Sequence, residues 1–136
     1  MIGRVTGIMD YKGTDHVLID VHGIGYEVFL ADSTLAKVPP RGKKISVHTE
    51  LIVREDLLQL VGFATRYERE WYRLLTGVQG VGSKAALKIL GTLQITVLSR
   101  SILTGDANVI KAAQGIGPKI AQRIVTELKD KAPSLM

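Results

Sequence analysis

One short phrase is written twice in the second half of the chain, and that duplication limits the possible folds more than any other feature. Gln79-Gly80-Val81-Gly82-Ser83-Lys84-Ala85-Ala86 returns 35 residues later as Gln114-Gly115-Ile116-Gly117-Pro118-Lys119-Ile120-Ala121. The register holds beyond the phrase, with Lys88 answering to Arg123, Ile89 to Ile124 and Leu93 to Leu128. A repeat of this period is one supersecondary unit used twice. Each copy predicts a helix, a tight turn built on two glycines and a second helix opening just after it, which is a helix-hairpin-helix.

The turn carries the chemistry. Glycine takes positive φ and has no Cβ, so Gly-Val-Gly and Gly-Ile-Gly allow backbone N–H groups to come close to another molecule. The following helix begins at Ser83 in one copy and Pro118 in the other, both residue types suited to a helix start. Its unpaired N–H groups and positive dipole end make an anion site together with the turn. Lys84 and Lys119 lie one step inside that site, and Lys88 and Arg123, four residues on, share their helix face. Phosphate is the expected guest. The candidate contacts are Gly80, Val81, Gly82, Ser83, Lys84 and Lys88 in the first copy, and Gly115, Ile116, Gly117, Lys119 and Arg123 in the second. Gly-x-Gly can also do no more than close a helical hairpin with its lysines solvated, but two copies with the cations in register favour phosphate. Such contacts read backbone rather than base edges, so DNA would be bound with little sequence preference.

Charge supports the same half. Residues 1–64 hold 7 Lys+Arg against 8 Asp+Glu, a net of −1, whereas residues 65–136 hold 11 against 5, a net of +6. The cationic surplus coincides with the two expected anion sites. Cysteine is absent, which removes disulfides and thiolate metal sites and fits a reducing compartment. Met1-Ile2-Gly3-Arg4 is not followed by the apolar block of a signal peptide, and no apolar run is long enough to span a membrane. The expectation is a cytoplasmic protein.

Residues 1–64 read as β. Val5, Val17, Ile19, Val21, Val28, Ile45, Val47 and Val53 fall in short alternating runs, broken by Lys12-Gly13-Thr14-Asp15, Gly23-Ile24-Gly25 and Pro39-Pro40-Arg41-Gly42. Strands are predicted near 2–10, 16–22, 25–31, 44–53 and 57–63, with a short helical turn after Ser33. Five short strands with one helical segment among them suggest a small closed barrel of the OB type, an SH3-like barrel being the alternative. From Thr65, which forms a capping box with Glu68, the pattern becomes helical. Tyr67, Trp71, Leu74 and Leu75 recur at core spacing in the first helix, and further helices are predicted near 84–91, 94–103, 106–113 and 118–130. Asp106 is the expected N-cap of the fourth, and Leu87, Ile89, Leu90, Val97, Leu98, Ile102 and Leu103 the common interior. The expected class is therefore α+β, with a barrel over 1–64, an all-α domain over 65–133 and a linker beginning at 134–136.

Chemistry-bearing clusters are otherwise sparse. His16, His22 and His48 lack metal-ligand spacing and read as strand or turn residues. No nucleophile, base and orienting acid can be assembled, and no Gly-rich loop ending in Lys-Ser/Thr offers a nucleotide site, so neither catalysis nor a cofactor is expected. Val53-Arg54-Glu55-Asp56-Leu57 is a charged tip between apolar strands. By itself it reads as a hairpin turn, although paired carboxylates near DNA would repel phosphates.

With these pieces in this order, the sequence resembles the RuvA family of Holliday-junction-binding proteins over nearly all of residues 1–133. The resemblance is carried by Met1-Ile2-Gly3-Arg4, Gly23-Ile24-Gly25-Tyr26-Glu27-Val28, Val53-Arg54-Glu55-Asp56 with Gly62-Phe63, and both Gly-x-Gly turns. It implies a homotetramer with four-fold symmetry that holds four DNA arms on a concave face, with a second tetramer able to close over the other side as an octamer. Glu55 and Asp56, flanked by Arg54, match the family's acidic pin, which crowds the junction centre and keeps it open and square. Gly80, Gly82, Lys84, Gly115, Gly117, Lys119 and Arg123 match its phosphate contacts. The family is non-catalytic; it loads the RuvB ATPase for branch migration and shares the junction with the RuvC resolvase. Members usually continue into a linker and a third domain that grips RuvB. None of that lies before Met136, so the expectation is junction binding without stimulation of RuvB. Pro118 stands where relatives often carry a further cation. Leu51, Leu58 and Leu60 are the candidates for the subunit contact. The rival readings are a generic hairpin protein for duplex DNA, a glycosylase-like repair enzyme and a protein-interaction scaffold.

Overall fold

The computed structural model describes residues 1–131, and the predicted linker at 134–136 lies outside them. The chain divides into two compact units, Met1–Arg69 and the residues from Glu70 onward, with the boundary inside the first long helix.

The first unit is a closed five-stranded barrel of the OB type. Its strands are β1 (Arg4–Lys12), β2 (His16–Val21), β3 (Ile24–Leu30), β4 (Lys44–Arg54) and β5 (Leu57–Phe63), with the short helix α1 (Asp32–Leu35) between β3 and β4. Neighbours run β1-β2-β3-β5-β4 and back to β1. All pairings are antiparallel except β3 with β5, where Val28, Phe29 and Leu30 face Leu60, Val61 and Gly62. The β2–β3 turn is closed by His22 at φ 52 and Gly23 at φ 91, two successive positive φ values that suit a tight hairpin. Asp20 Oδ1 accepts from the Gly23 N–H at 2.9 Å there.

Alternation fills the barrel. Val5, Met9, Val17, Ile19, Val28, Leu30, Ile45, Val47 and Leu60 point inward and Leu35 of α1 joins them. The first residues are fastened to this wall by Thr49, whose hydroxyl donates to the Ile2 carbonyl at 2.6 Å, and by Arg69, whose Nη1 donates to the Gly3 carbonyl at 2.7 Å. His16 is a strand residue held by Asp15 Oδ1 at 2.8 Å and Tyr11 Oη at 3.2 Å. Two expectations change here. Leu60 belongs to the barrel interior and is unavailable for a subunit contact, and Leu51 packs against that interior. Leu58, 73% exposed, is the one of the three that stands free of it.

The second unit is all α. The helices are α2 (Arg66–Thr76), α3 (Ser83–Thr92), α4 (Ile95–Thr104), α5 (Ala107–Ile110) and α6 (Pro118–Leu128). At the start of α2 the Glu68 N–H donates to Thr65 Oγ1 at 3.2 Å, the Thr half of the predicted box. Asp106 caps α5 as expected, accepting from the Asn108 N–H at 3.2 Å. The stop before it is a left-handed Gly105, with the Asp106 and Gly105 N–H groups donating to Ser101 and Ile102 carbonyls.

Trp71, Leu75, Ile89, Leu98, Ile102, Ile110, Ile124 and Leu128 are fully buried. Three predicted placements fail. Tyr67, at the right spacing for the α2 stripe, is 57% exposed, and Tyr72 is buried in its stead. Val97 is also exposed, while the neighbouring Ser99 and Ser101 are buried. Ser101 tolerates burial because its hydroxyl donates to the Leu98 carbonyl at 2.8 Å. The helix predicted over 106–113 ends at Ile110, since the chain must turn at Ala113 to build the second hairpin.

Candidate nucleic-acid interface

The two Gly-x-Gly turns are built alike. In the first, the Val81 N–H donates to the Val78 carbonyl at 3.0 Å, and in the second the Ile116 N–H donates to Ala113 at 3.2 Å. Gly80 at φ 92 and Gly115 at φ 85 occupy the third position of these four-residue turns, where a type II turn needs positive φ. Val81 and Ile116 are buried at 5% and 7% exposure. Of the predicted contacts, these two therefore serve as anchors: their side chains enter the core and their N–H groups are used in closing the turn.

The second glycine of each turn has a different task. Gly82 and Gly117 are the N-cap residues of α3 and α6, with φ −92 and −84 in the extended region that any residue adopts. A Cβ added at either position would meet nothing within 4 Å. Packing within the described residues does not require glycine there; its absence of a side chain leaves the helix start open to an external molecule. No side chain caps either helix. Ser83 stands inside α3 rather than at its cap, and its Oγ accepts from the Tyr72 hydroxyl at 2.9 Å. The first-turn amides of α3 at Ser83, Lys84 and Ala85 are thus open, as helix starts require when no cap is present. Pro118 removes one such donor from α6, leaving Lys119 and Ile120.

Lys84 and Lys119 are exposed beside these amides and engage no acceptor among the described residues. Lys88 and Arg123 are exposed one turn further on. Open amides, the positive end of a helix and an exposed lysine thus occur together at each of the two turns, a combination suited to contact with a phosphate.

The acidic tip lies in the barrel unit. Arg54 pairs with Leu57 across the β4–β5 ladder, so Glu55 and Asp56 form a two-residue turn, and all four residues are exposed. Beneath it Val53 and Leu58, directly opposite one another, are 67% and 73% exposed. The sequence signal for this apolar stem is the consecutive apolar residues on either side of the tip, Leu51-Ile52-Val53 and Leu57-Leu58.

Comparison with known proteins agrees with both units. The family described as RuvA N terminal domain matches residues 1–62, and the SAM-like helix-hairpin-helix tandem matches residues 72–130. The whole chain aligns with proteins named Holliday junction branch migration complex subunit RuvA. That of Jannaschia sp. (strain CCS1) is 61% identical over 136 residues, covering 100% of this chain and 61% of the relative. Those of Roseobacter denitrificans and Cereibacter sphaeroides (strain KD131) are 59% and 60% identical, again over the full chain and over 62% and 61% of the relatives. The chain belongs to the RuvA family.

RuvA relatives are longer than this chain, which spans about three fifths of their length. Within the matched part, the RuvA barrel carries the Glu55-Asp56 tip and the tandem carries both Gly-x-Gly turns. No single helix among the described residues is long and apolar enough to cross a membrane.

Proposed function

We propose that this chain binds four-way (Holliday) DNA junctions, gripping phosphates with its two hairpins and keeping the junction centre open with Glu55 and Asp56. The observation that carries the reading is the vacant space at Gly82 and Gly117, in front of uncapped helix starts and exposed lysines. The grip uses the open amides of Gly82, Ser83, Lys84, Gly117 and Lys119, with Lys88 and Arg123 adding charge. The name shared by the relatives supports a junction over plain duplex as the target.

From the resemblance we take a cytoplasmic homotetramer, able to become an octamer on DNA, in which four copies of the Glu55-Asp56 tip meet at the junction centre. Repulsion between these carboxylates and phosphates opposes stacking of the arms. One hairpin touching one or two phosphates binds weakly; joining eight makes later contacts intramolecular, at effective concentrations of about millimolar. The chain itself catalyses nothing in this reading. It is the DNA-holding subunit of an ATP-driven branch-migration complex in recombination and repair, with RuvC acting on the same junction. The contact with RuvB is assigned to the third domain of the longer relatives.

A gel-shift titration with a synthetic four-way junction and a linear duplex of the same sequence, in magnesium and moderate salt, tests the reading. Strong preference for the junction with discrete shifted complexes is expected. Equal affinity for both would leave a generic hairpin protein for duplex DNA.

Two substitutions sharpen the assignment. Gly82→Ala with Gly117→Ala should leave the protein folded with a modestly lowered urea midpoint, because the added methyl groups meet nothing among the described residues and Gly→Ala at a cap costs about 1 kcal/mol or less at each site. The same pair should weaken binding of junction and duplex at least tenfold, roughly 1.4 kcal/mol, by pushing phosphate off the amides. Full binding by this variant would rule out the close approach. Glu55→Gln with Asp56→Asn should hold or raise affinity while relaxing the preference for an open junction, read by fluorescence transfer between labelled arms; arms that stay open would remove the tip from the mechanism.

A further inference from the structure

The two hairpins differ in how they are supported, and the difference lies in α6. Arg123 Nη1 reaches back to the Gln79 carbonyl of the first turn, 3.4 Å away and 44 residues earlier in the chain. Ile120 comes to the same place: a Cβ added at Gly80 would lie 2.7 Å from Ile120 Cδ1. At Gly115, the equivalent position of the second turn, a Cβ would meet nothing within 4 Å. The second hairpin's helix thus braces the first hairpin's turn.

The carbonyl that Arg123 holds is mechanically significant. Gln79–Gly80 is the central peptide of its turn, and rotation of that one peptide plane separates type I from type II geometry. In a trans peptide the C=O and the next N–H point in opposite directions. A guanidinium donating to the Gln79 carbonyl therefore fixes the direction of the Gly80 N–H, which donates to no backbone group among the described residues. Ile120 against Gly80 limits the same rotation from the other side.

We infer that Arg123 is a positioning residue for the first hairpin, aiming the Gly80 amide at a phosphate from the neighbouring repeat. This rests on the phosphate reading of the hairpins. Arg123 then contributes chiefly through Gln79 and Gly80, beyond any charge it offers DNA from its own hairpin. The direction of support is from second repeat to first.

A double-mutant cycle on duplex binding tests it, using Arg123→Ala in the native, Lys84→Ala and Lys119→Ala backgrounds. Arg123→Ala should cost about tenfold in the native and Lys119→Ala backgrounds and less than about threefold where Lys84 is already Ala, because the first hairpin is then disabled. In the DNA-free protein, the Gly80 amide resonance should move on Arg123→Ala while that of Gly115 stays. A cost that is equal in all three backgrounds, with Gly80 unmoved, would overturn the inference and return Arg123 to a simple phosphate contact. If Lys84→Ala by itself leaves binding unchanged, the phosphate reading of the first hairpin fails, and the inference with it.

Discussion

Replacing Lys84 and Lys119 together with Ala is expected to weaken binding of junction and duplex alike while leaving the protein folded. Both side chains are exposed and bond to nothing in the described residues, so their removal costs the fold little. Their worth lies in displaced counterions. Each phosphate neutralised adds about 0.9 to the slope of log K against log salt, so two contacts per subunit correspond to about 60-fold between 1 M and 0.1 M salt. The measurement is the salt dependence of binding for native and variant protein on both DNAs. The slope should fall by about 1.8 for each subunit that engages DNA, by the same amount on either substrate. A slope that does not move would detach the lysines from phosphate, whatever happened to affinity. A loss confined to the junction would place them at its centre, where only carboxylates are expected.

Trp71→Ala should destabilise the helical unit by about 3–5 kcal/mol, the usual cost of deleting a buried aromatic side chain. Trp71 is the only tryptophan and is fully buried in α2. Trp71→Phe is the informative partner. The indole Nε1 is buried without an acceptor among the described residues, so the phenyl ring loses volume but no hydrogen bond. Its cost should stay near 1–2 kcal/mol, within the range for partial cavity formation. Urea unfolding followed by circular dichroism distinguishes the two. A Phe variant as unstable as the Ala variant would mean that the indole N–H holds a structural partner, such as an enclosed water.

The sequence was legible where local chemistry decides. The repeat located both turns, since positive φ at Gly80 and Gly115 leaves little choice of residue, and the strands followed from alternation. Asp106 and Thr65 announced their helix starts through their side chains. What stayed hidden depended on what lies opposite. Tyr67 and Trp71 are four residues apart on one helix face, yet only Trp71 is buried; periodicity gives the face but not where burial begins. Val97 is exposed while Ser101, which satisfies its hydroxyl within the helix, is buried, an option that apolar patterning does not register. Leu58 and Leu60 share one alternating phase, and only the end of the barrel wall separates the exposed residue from the buried one. At the hairpins, spacing located the cations but not the bond from Arg123 to Gln79, because a contact between repeats has no signature within either.

The parallel pairing of Val28–Leu30 with Leu60–Gly62 completes the ring of strands, so each of the five has a neighbour on both sides. An open sheet of this size would offer a row of unpaired amides and carbonyls to any passing extended chain. This barrel withholds that invitation. Along the closed part of the ring, copies of the protein cannot join by continuing one another's sheets, and association there must be negotiated by side chains, whose fit can be disrupted one residue at a time. Assembly through such surfaces has a definite end point, whereas strand-to-strand growth does not.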